Sequence, residues 1–525
     1  MNQSNPRTAG GSFPTFRRFF GWLLSWRMIR RCLFVLACLV TSLALYHAEE
    51  NWRGRRAWKK YRQELAARGE RLDYREFIPK PVPDNKNFAS TPFVQSWFEK
   101  RNPEEQWHAK DNYSKASSMV KALKQRAEYV DLVSWAAAFA AVGSGQRISN
   151  KTPESNRLDL ESRAGAAPAV LEGLKDDEAI WAELRTASRR PDAQYPIVYD
   201  LENPWGILIP HLLHVRLACL RLQLRACAEL AAGQGENALA DVKLMLYLAD
   251  SVKDEPFLIS QLSRIACLQI ALQPVWEGLA EHHWSEAQLQ ELQSRLKQYD
   301  FLTDLKLPLA GEQAAGVLTA DLLARKKIRI SDLLAEPRRS ADNWVTLFIP
   351  RGWYDLEQLN YCRLYRSQLD GTFDTANKRV SVKQVQSRAH ELEREISGGR
   401  LGRTLNAVVH HQLLAAMLLP ALGRVSLKAA TAQTTTDQAV LACALERFRL
   451  ANGQFPERLD ALVPRFLDRI PNDVISGEPL RYRRRDNGQF VLYSVGWNEK
   501  DDGGMPGKSL FDEKTGDWVW RYPEK

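Results

Sequence analysis

The feature that most constrains this chain is an uncharged apolar run close to its N-terminus. Residues 32–48 read CLFVLACLVTSLALYHA and contain no Lys, Arg, Asp or Glu. As a helix, these seventeen residues would extend about 25 Å, which approaches the thickness of the hydrocarbon core of a bilayer. We therefore predict one transmembrane helix over residues 32–48, preceded by a basic N-terminal tail over residues 1–31.

A cleaved signal peptide is the alternative interpretation of the same run. Its N-terminal region would be unusually long, and a cut after Ala48 would place Tyr46 where a small residue is preferred. The sequence therefore favours an anchor that remains in the mature protein.

The net charge of the chain is concentrated around this run. The formal net charge is +10, and residues 1–62 contain twelve Lys and Arg against two Glu, so the remaining chain is neutral overall. Basic residues beside a span attract anionic lipid headgroups, at about 1 kcal/mol each near the surface. We therefore expect membrane lipid as a partner and no nucleic acid, which would need a basic patch on the body. Only the N-terminal flank lacks acids, which favours an N-terminus inside the cell.

Two helical regions are expected after the run. Residues 49–89 predict a juxtamembrane helix over 53–78 and then an extended spacer, because the prolines of PKPVP cannot continue a helix. Residues 90–430 predict a body of helical hairpins, since apolar residues recur at helical spacing between short Gly-marked turns. One long helix is expected over residues 113–142, and Ser285 with Gln288 predicts a capping box for a helix that runs to Tyr299.

Other stretches of the body leave alternatives open. The hairpin around Gly233 resembles one tetratricopeptide hairpin, without a second copy in register. An apolar run within residues 401–422 is interpreted as a buried helix, with a second membrane span as the alternative. His211 and His214 could share a helix face, but the sequence shows no Cys or carboxylate cluster nearby, so packed histidines are the simpler interpretation. The cysteines indicate small buried side chains rather than disulfides.

Residues 431–525 predict a small α+β module at the C-terminus. The fold class expected for the whole chain is thus mainly α, with this module and one N-terminal transmembrane helix. The module should contain a helix at 437–450 with Asn452-Gly453 as its C-cap, strands at 480–484 and 490–494 joined by Asp486-Asn487-Gly488, and an acidic Gly-rich loop at 496–504.

The order of short phrases in this module is similar to the C-terminal half of the major pseudopilin of type II secretion. The phrases are LERFRLANGQFP at 445–456, LDALV at 459–463, GEPLRY at 477–482 and YSVG at 493–496. The resemblance implies a pilin-like α+β fold, a body outside the inner (cytoplasmic) membrane and a link to secretion or pilus-like machinery. A pseudopilin carries its span directly before this module, whereas here the span lies far upstream, so assembly into a pilus is not implied.

The same resemblance implies a calcium site, because the late acidic loop binds calcium in the pseudopilin family. By position, Asn498, Asp501 and Asp502 would supply oxygen ligands, and Asp512 or Asp517 would complete the site. Carboxylates on a Gly-rich loop suit a hard cation. The alternative is a solvated acidic loop.

Two functions are compatible with these features. The first is a structural or interaction protein of the cell envelope, anchored in the inner membrane with its body on the periplasmic side. The second is a membrane-bound enzyme with a pocket around the aromatic-rich residues 344–366, although the sequence contains no Walker loop, dinucleotide fingerprint or Gly-x-Ser-x-Gly elbow. The whole layout also resembles a family of planctomycete and verrucomicrobial membrane proteins, and that resemblance implies no activity.

Overall fold

The computed structural model of this chain describes residues 26–99, 111–121, 123, 126–144, 160–329, 349–397 and 410–523. Over these residues the protein is mainly helical with small sheets near the C-terminus, which confirms the mainly α part of the expected class. In chain order, the α-helices are α1 (Trp26–Ala67), α2 (Pro92–Ser96), α3 (Asn112–Ser117), α4 (Leu132–Ser144), α5 (Leu160–Gly173), α6 (Glu178–Ala187), α7 (His211–Ala231), α8 (Gly235–Asp250), α9 (Leu258–Ala280), α10 (Glu286–Leu296), α11 (Phe301–Asp304), α12 (Lys306–Ala324), α13 (Arg351–Leu369), α14 (Val382–Ser397), α15 (Leu413–Leu418) and α16 (Leu422–Asn452).

Two small antiparallel sheets accompany the helices. The strands are β1 (Phe373–Asp374), β2 (Arg379–Val380), β3 (Arg481–Arg484), β4 (Phe490–Ser494) and β5 (Trp518–Trp520). Strands β3, β4 and β5 form the C-terminal sheet in that order, with Arg481 opposite Tyr493 and Leu492 opposite Trp520. Gly488 has φ +77° in the turn between β3 and β4, which confirms the predicted hairpin.

Local sequence signals placed several other element ends correctly. Helices α7 and α8 form the hairpin predicted around Gly233, which has φ +73°. Ser285 and Gln288 form a capping box at the start of α10. Gly453 is left-handed, with φ +79°, at the end of α16. Each signal depends on residues within one turn of the element end, so it could be interpreted without knowing the tertiary structure.

Helix α1 joins the predicted span and the predicted juxtamembrane helix into one continuous element. Its 42 residues extend about 63 Å, and no break occurs at the expected boundary between residues 48 and 49. The first half is exposed, whereas the second half lies on α13. The helix ends at Ala67 rather than at residue 78, because Gly69 adopts φ +76° and turns the chain.

The proline-rich spacer after α1 is extended, as predicted, and one glutamine fastens it to the body. Ile78 and Pro83 have extended backbones, with ψ of 118° and 139°. Gln194 Oε1 accepts a hydrogen bond from the Val82 N–H at 2.8 Å, and Gln194 Nε2 donates to the Lys80 carbonyl at 3.0 Å. The spacer therefore lies along the body rather than separating it from α1.

The long helix predicted over residues 113–142 is wrong. The structure has α3 and α4 instead, with a non-helical segment before α4. Gln273 of α9 accepts a hydrogen bond from the Arg126 N–H at 2.6 Å, and Glu277 accepts one from the Val130 N–H at 2.8 Å. These partners lie 147 residues away in sequence, and they satisfy N–H groups that a helix would otherwise pair internally.

The helical body and the predicted C-terminal module share one hydrophobic core. Helix α16 crosses the expected boundary between residues 430 and 431 without a break. Trp276 of α9 contacts the Tyr522 ring at 6.1 Å, and its Nε1 donates to the Arg521 carbonyl at 3.0 Å. Gln438 of α16 donates to the Trp518 carbonyl at 2.6 Å. The C-terminal sheet is therefore part of the body's packing.

Three helical stretches of the described residues are long and apolar enough to cross a membrane. They are Met28–Ala67, Pro204–Ala231 and Leu413–Asn452. Each stretch contains an apolar segment of 18 residues. In the first stretch none of this segment is buried, whereas in each of the other two half of it is buried in the protein. The first contains the predicted span. The third contains the described part of the apolar run within residues 401–422.

Candidate membrane-proximal site

Helices α1 and α13 cross backbone to backbone just beyond the exposed apolar half of α1. A Cβ atom on Gly54 would lie 2.1 Å from the Gly352 carbonyl oxygen. A Cβ atom on Gly352 would lie 2.1 Å from the Glu50 carbonyl oxygen. Side-chain carbons do not approach oxygen atoms this closely, so the crossing requires glycine on both helices.

The side chain of Asn51 fixes the start of α13 at this crossing. Its Oδ1 accepts a hydrogen bond from the Gly352 N–H at 2.7 Å, which satisfies one of the unpaired N–H groups at the beginning of a helix. Glu50 is buried beside it and pairs with Arg53 at 3.0 Å. The N-terminal end of α13 therefore meets α1 at the level of residues 50–54.

Beyond this crossing, α1 remains attached to the body. Trp58 and Leu65 are buried in a cluster that includes Leu359 and Tyr365 of α13. Arg366 at the other end of α13 pairs with Glu70, just after α1. Contacts at both ends hold the second half of α1 in place, so the body sets the direction in which the apolar half projects.

The outer face of α1 at the same level is cationic and aromatic. Trp52 is 63% exposed, and the Arg56 guanidinium lies over its ring at 5.4 Å. A shallow cavity of about 430 Å³ is lined there by Ala48, Asn51, Trp52, Arg55, Arg56 and Lys59. Tryptophan and basic side chains just beyond an apolar segment suit the headgroup layer of a bilayer, where each has both an apolar and a polar environment.

In the described part of the aromatic region 344–366, from residue 349 onward, two tyrosines are part of the core. The Tyr361 and Tyr365 hydroxyls are buried and donate to the carbonyls of Glu312 and Leu309 at 3.3 Å and 2.8 Å. Residues 344–348 lie outside the described part of the chain. The predicted enzyme site is therefore not assembled by these two tyrosines.

Burial raises the pKa of Asp355 in this region, and it raises the pKa of two further acids that cap helices. Burial raises the pKa of Glu312 to about 7 and that of Glu357 to about 7. Glu312 accepts from the Leu258 N–H at 3.3 Å at the start of α9, and Glu357 accepts from the Leu414 N–H at 2.6 Å at the start of α15. A structural role in holding helix ends accounts for both carboxylates.

An open groove of about 460 Å³ lies between α13 and α14. Its acids have partners: Arg388 and Ser387 donate to Glu391 and lower its pKa, and Gln412 donates to Glu395 at 2.7 Å. The groove is lined by Asn360, Arg363, Leu364, Ser367, Gln368, Glu391, Leu392 and Glu395. Neither Glu312 nor Glu357 lines it, so the two acids whose pKa is raised to about 7 lie outside the groove.

The residues predicted to bind calcium lie in one loop, and the structure brings some of them together. Asn498 Nδ2 donates to Asp502 at 3.0 Å. Asp517 accepts from the backbone N–H groups of Asp502 and Gly504 at 3.2 Å and 2.6 Å. Burial raises the pKa of Asp517, and the nearby carboxylates of Asp501 and Asp502 raise it further. The three acids therefore concentrate negative charge in this loop.

The other predicted ligands of this loop point elsewhere. Asp501 lies 3.4 Å from Arg481, and Asp512 accepts from the N–H groups of Lys514 and Thr515. Among the described residues, no group of three or more His, Cys, Asp or Glu side chains could hold a metal ion. The loop oxygens accept N–H groups rather than converging on one point, which does not fit a cation site in this arrangement. Calcium binding stays a prediction from the resemblance.

The two histidines of α7 are packed in the core. His211 Nε2 lies 2.8 Å from Glu255 Oε1, and its ring stacks on Tyr195 at 4.2 Å. The His214 ring stacks on Trp97 at 5.4 Å. Sequence reasoning missed Glu255 as a partner, because 44 residues separate it from His211 and no local pattern joins them.

Comparisons of this chain with protein-family models, with curated proteins and with solved structures found no match. The geometry of the chain itself is therefore the basis for a functional assignment. Its most distinctive arrangement is the exposed apolar half of α1 next to the glycine crossing at Gly54 and Gly352.

Proposed function

We propose that this protein is a membrane-anchored structural or interaction protein of the cell envelope. The observation that carries the proposal is the division of α1 into an exposed apolar half and a half docked on α13 through Gly54 and Gly352. Apolar helical surface of this length is unfavourable in water and favourable in a bilayer. The docked half then holds the body at the membrane surface.

A single span accounts for the three apolar stretches better than three spans. Arg221 of α7 pairs with Asp111 and Asp177, at 2.5 Å and 3.1 Å, and both acids belong to other parts of the body. Helix α16 lies against α9, α10 and α11. Moving either helix into lipid would expose these charges and remove its core contacts, both of which are unfavourable.

An interaction role suits the rigid link between anchor and body. Contacts from Glu50 to Glu70 keep the body at one distance and direction from the bilayer. The pseudopilin resemblance of the C-terminal module is based on the order of its sequence phrases from residue 445 to residue 496. That resemblance favours an N-terminus inside the cell, a body on the periplasmic side of the inner membrane, and a partner in secretion or pilus-like machinery.

The membrane topology is tested by cysteine labelling in intact cells. The native cysteines of the body are buried, and Cys32 and Cys38 lie in the proposed span. A Met505→Cys variant adds a thiol at a side chain that is 66% exposed. A membrane-impermeant maleimide should label this variant from the periplasm and leave the wild-type chain unlabelled. Labelling only after cell lysis would refute the periplasmic assignment, and release of the chain by alkaline carbonate would refute the anchor.

The interaction role is tested by photo-crosslinking in membranes. A photoreactive residue is placed at Val198 or Leu208, each 81% exposed on the body, and at Leu33 in the span as the control. The body positions should give adducts with envelope proteins, and Leu33 should give adducts with lipid. If no body position yields a protein adduct and the chain purifies alone from detergent extract, the interaction role fails.

The calcium prediction is tested on the full chain, because the C-terminal sheet shares the core of the body. Calcium should raise the melting temperature more than magnesium does, and Asp502→Asn should abolish the difference. Equal responses to the two ions would remove the calcium site from the proposal.

A further inference from the structure

Four arginine side chains are buried among the described residues, and three of them have two carboxylate partners each. Each of the three lies between two carboxylates from other elements, which compensates its charge where water is excluded. The pairs are Arg163 with Glu277 and Glu281, Arg221 with Asp111 and Asp177, and Arg264 with Asp250 and Asp304. Arg126 is the fourth, and it departs from this pattern.

Arg126 is 6% exposed and has no carboxylate within ion-pair distance among the described residues. Its Nη2 donates to Gln269 Oε1 at 2.7 Å, whereas its buried Nε has no hydrogen-bond partner. The rings of Phe511 and Trp520 lie 5.1 Å and 5.9 Å from the guanidinium carbon. The charge is therefore held between a neutral amide and two aromatic faces.

This environment is unfavourable for an isolated cation. Burial lowers the pKa of Arg126 to about 9, with no neighbouring acid to oppose the change. Aromatic faces and a neutral amide compensate a guanidinium less than a carboxylate does. In the same protein, the other three buried arginines show the compensation that such a site normally contains.

The backbone holds Arg126 in place at considerable local cost. Its φ is +56°, a left-handed conformation that residues other than glycine rarely adopt. The Arg126 N–H donates to Gln273 Oε1 at 2.6 Å, and Gln273 Nε2 donates to the Glu128 carbonyl at 2.9 Å. The guanidinium is thereby fixed at the seam between α9 and the loop that carries Phe511.

We propose that Arg126 forms a binding site for a small oxyanion, a carboxylate or a phosphate, at the seam between the helical body and the C-terminal sheet. The free Nε and Nη2, which has a second N–H besides the one donated to Gln269, form the planar fork that binds two oxygens of such a group. Phe511 and Trp520 shield the charge pair from water, which strengthens it. The site is independent of the membrane anchor.

The proposal is tested by the melting temperature of the full chain in detergent. Inorganic phosphate and acetate are titrated at constant ionic strength against chloride. We expect at least one of the two oxyanions to raise the melting temperature where chloride does not; a response to phosphate would indicate a phosphate ligand, and a response to acetate would indicate a carboxylate. No rise with either anion beyond that with chloride would overturn the proposal.

Three variants connect this response to the guanidinium. Arg126→Met should remove the anion-dependent rise, and Arg126→Lys, which keeps the charge and loses the fork, should weaken it. Without anion, Arg126→Met should melt at or above the wild-type temperature, because it removes an unpaired buried charge. The control Arg264→Met should melt lower, because it removes the guanidinium between Asp250 and Asp304 and leaves Lys253 as the partner of Asp304.

If Arg126 has a purely structural role, we expect different results for the melting temperature and for the anion response. In that case Arg126→Met would melt well below the wild type, as Arg264→Met does, and the anion response would be the same in both proteins. An anion response that is the same in Arg126→Met and the wild type would overturn the proposal. If Arg126→Met does not fold, the wild-type titration and Arg126→Lys decide the question.

Discussion

Glycine at positions 54 and 352 lets two helices touch along their backbones where the anchor meets the body. Other glycines in the same protein have free space around them: a Cβ atom on Gly165, in the middle of α5, would meet no other atom within 4 Å. The requirement for glycine is therefore a property of the crossing and not of glycine in helices generally. This contrast provides a matched pair of substitutions.

Gly54→Ala should destabilise the protein, and Gly165→Ala should stabilise it. The new methyl group at residue 54 meets the Gly352 carbonyl and separates α1 from α13, with an expected loss of about 1–3 kcal/mol. At residue 165, alanine removes the backbone freedom of glycine and should gain about 0.5–1 kcal/mol. Thermal unfolding in detergent measures both changes. A gain at residue 54 would show that the helices are not in backbone contact.

Glu312 gives the protein a predictable dependence on pH. Its pKa is about 7 in the folded chain, against an ordinary value of 4.5, so the native state holds a proton that the unfolded chain releases first. Its contribution to stability is therefore fully present below pH 4.5 and is lost as the pH rises through about 7. Glu312→Gln keeps an oxygen for the Leu258 N–H and cannot ionise.

The Glu312→Gln variant should be about 1–3 kcal/mol more stable than the wild type at pH 8 and similar to it at pH 5. Unfolding midpoints across this pH range measure the difference. Glu202→Gln, at an exposed ion pair with Lys327, is the control and should leave the pH profile unchanged. If Glu312→Gln and the wild type show the same dependence of the unfolding midpoint on pH, this carboxyl is already ionised in the folded protein.

Several helices of this protein begin where a side chain from a distant element accepts a hydrogen bond. Asn51 caps α13, Glu312 caps α9 and Glu357 caps α15. The caps of α3, α10 and α11 are local instead, because Asp111, Ser285 and Asp300 lie immediately before their helices. A cap that is contributed across the fold leaves no local pattern. At the scale of elements, tertiary contacts therefore fix where many of the helices start.

Asn51→Ala should loosen the start of α13. Loss of a capping acceptor costs about 1 kcal/mol, whereas Asn51→Asp keeps the acceptor and adds a negative charge that the helix N-terminus favours. Hydrogen exchange should become faster at residues 352–354 in Asn51→Ala and stay slow in Asn51→Asp. Ser285→Ala is the local control and should affect only the first turn of α10. Unchanged exchange at residue 352 would remove Asn51 from this role.

In the described part of the molecule, two large buried clusters each join distant parts of the chain. The first and last parts of the described body meet in one of them: Phe88 near the N-terminal spacer and Tyr522 near the C-terminus belong to this cluster. A second cluster joins Trp58 of α1 to Trp518 of β5. The division into a body over 90–430 and a module over 431–525 therefore describes sequence regions that do not have separate cores.

Removal of residues 453–525 should unfold the body, whereas removal of residues 1–48 should not. The first deletion removes buried Phe490, Trp518, Trp520 and Tyr522, each worth about 1.5–3 kcal/mol, from a protein whose net stability is expected to be about 5–15 kcal/mol. The described residues that the second removes belong to the apolar half of α1, which is not buried in the protein. Circular dichroism during heating measures cooperative unfolding in both variants. A cooperative transition without residues 453–525 would show that the body folds alone.

The sequence by itself determined the apolar segment of α1, the α7–α8 hairpin, the capping box of α10 and the β3–β4 turn. Each depends on residues within a few positions of one another, and their polarity and backbone preferences act without any distant contact. Only the tertiary structure decided the Gly54–Gly352 crossing, the break before α4, the burial of α7 and α16, and the unpaired charge of Arg126. These features depend on which distant segments meet, and no local pattern records the partner.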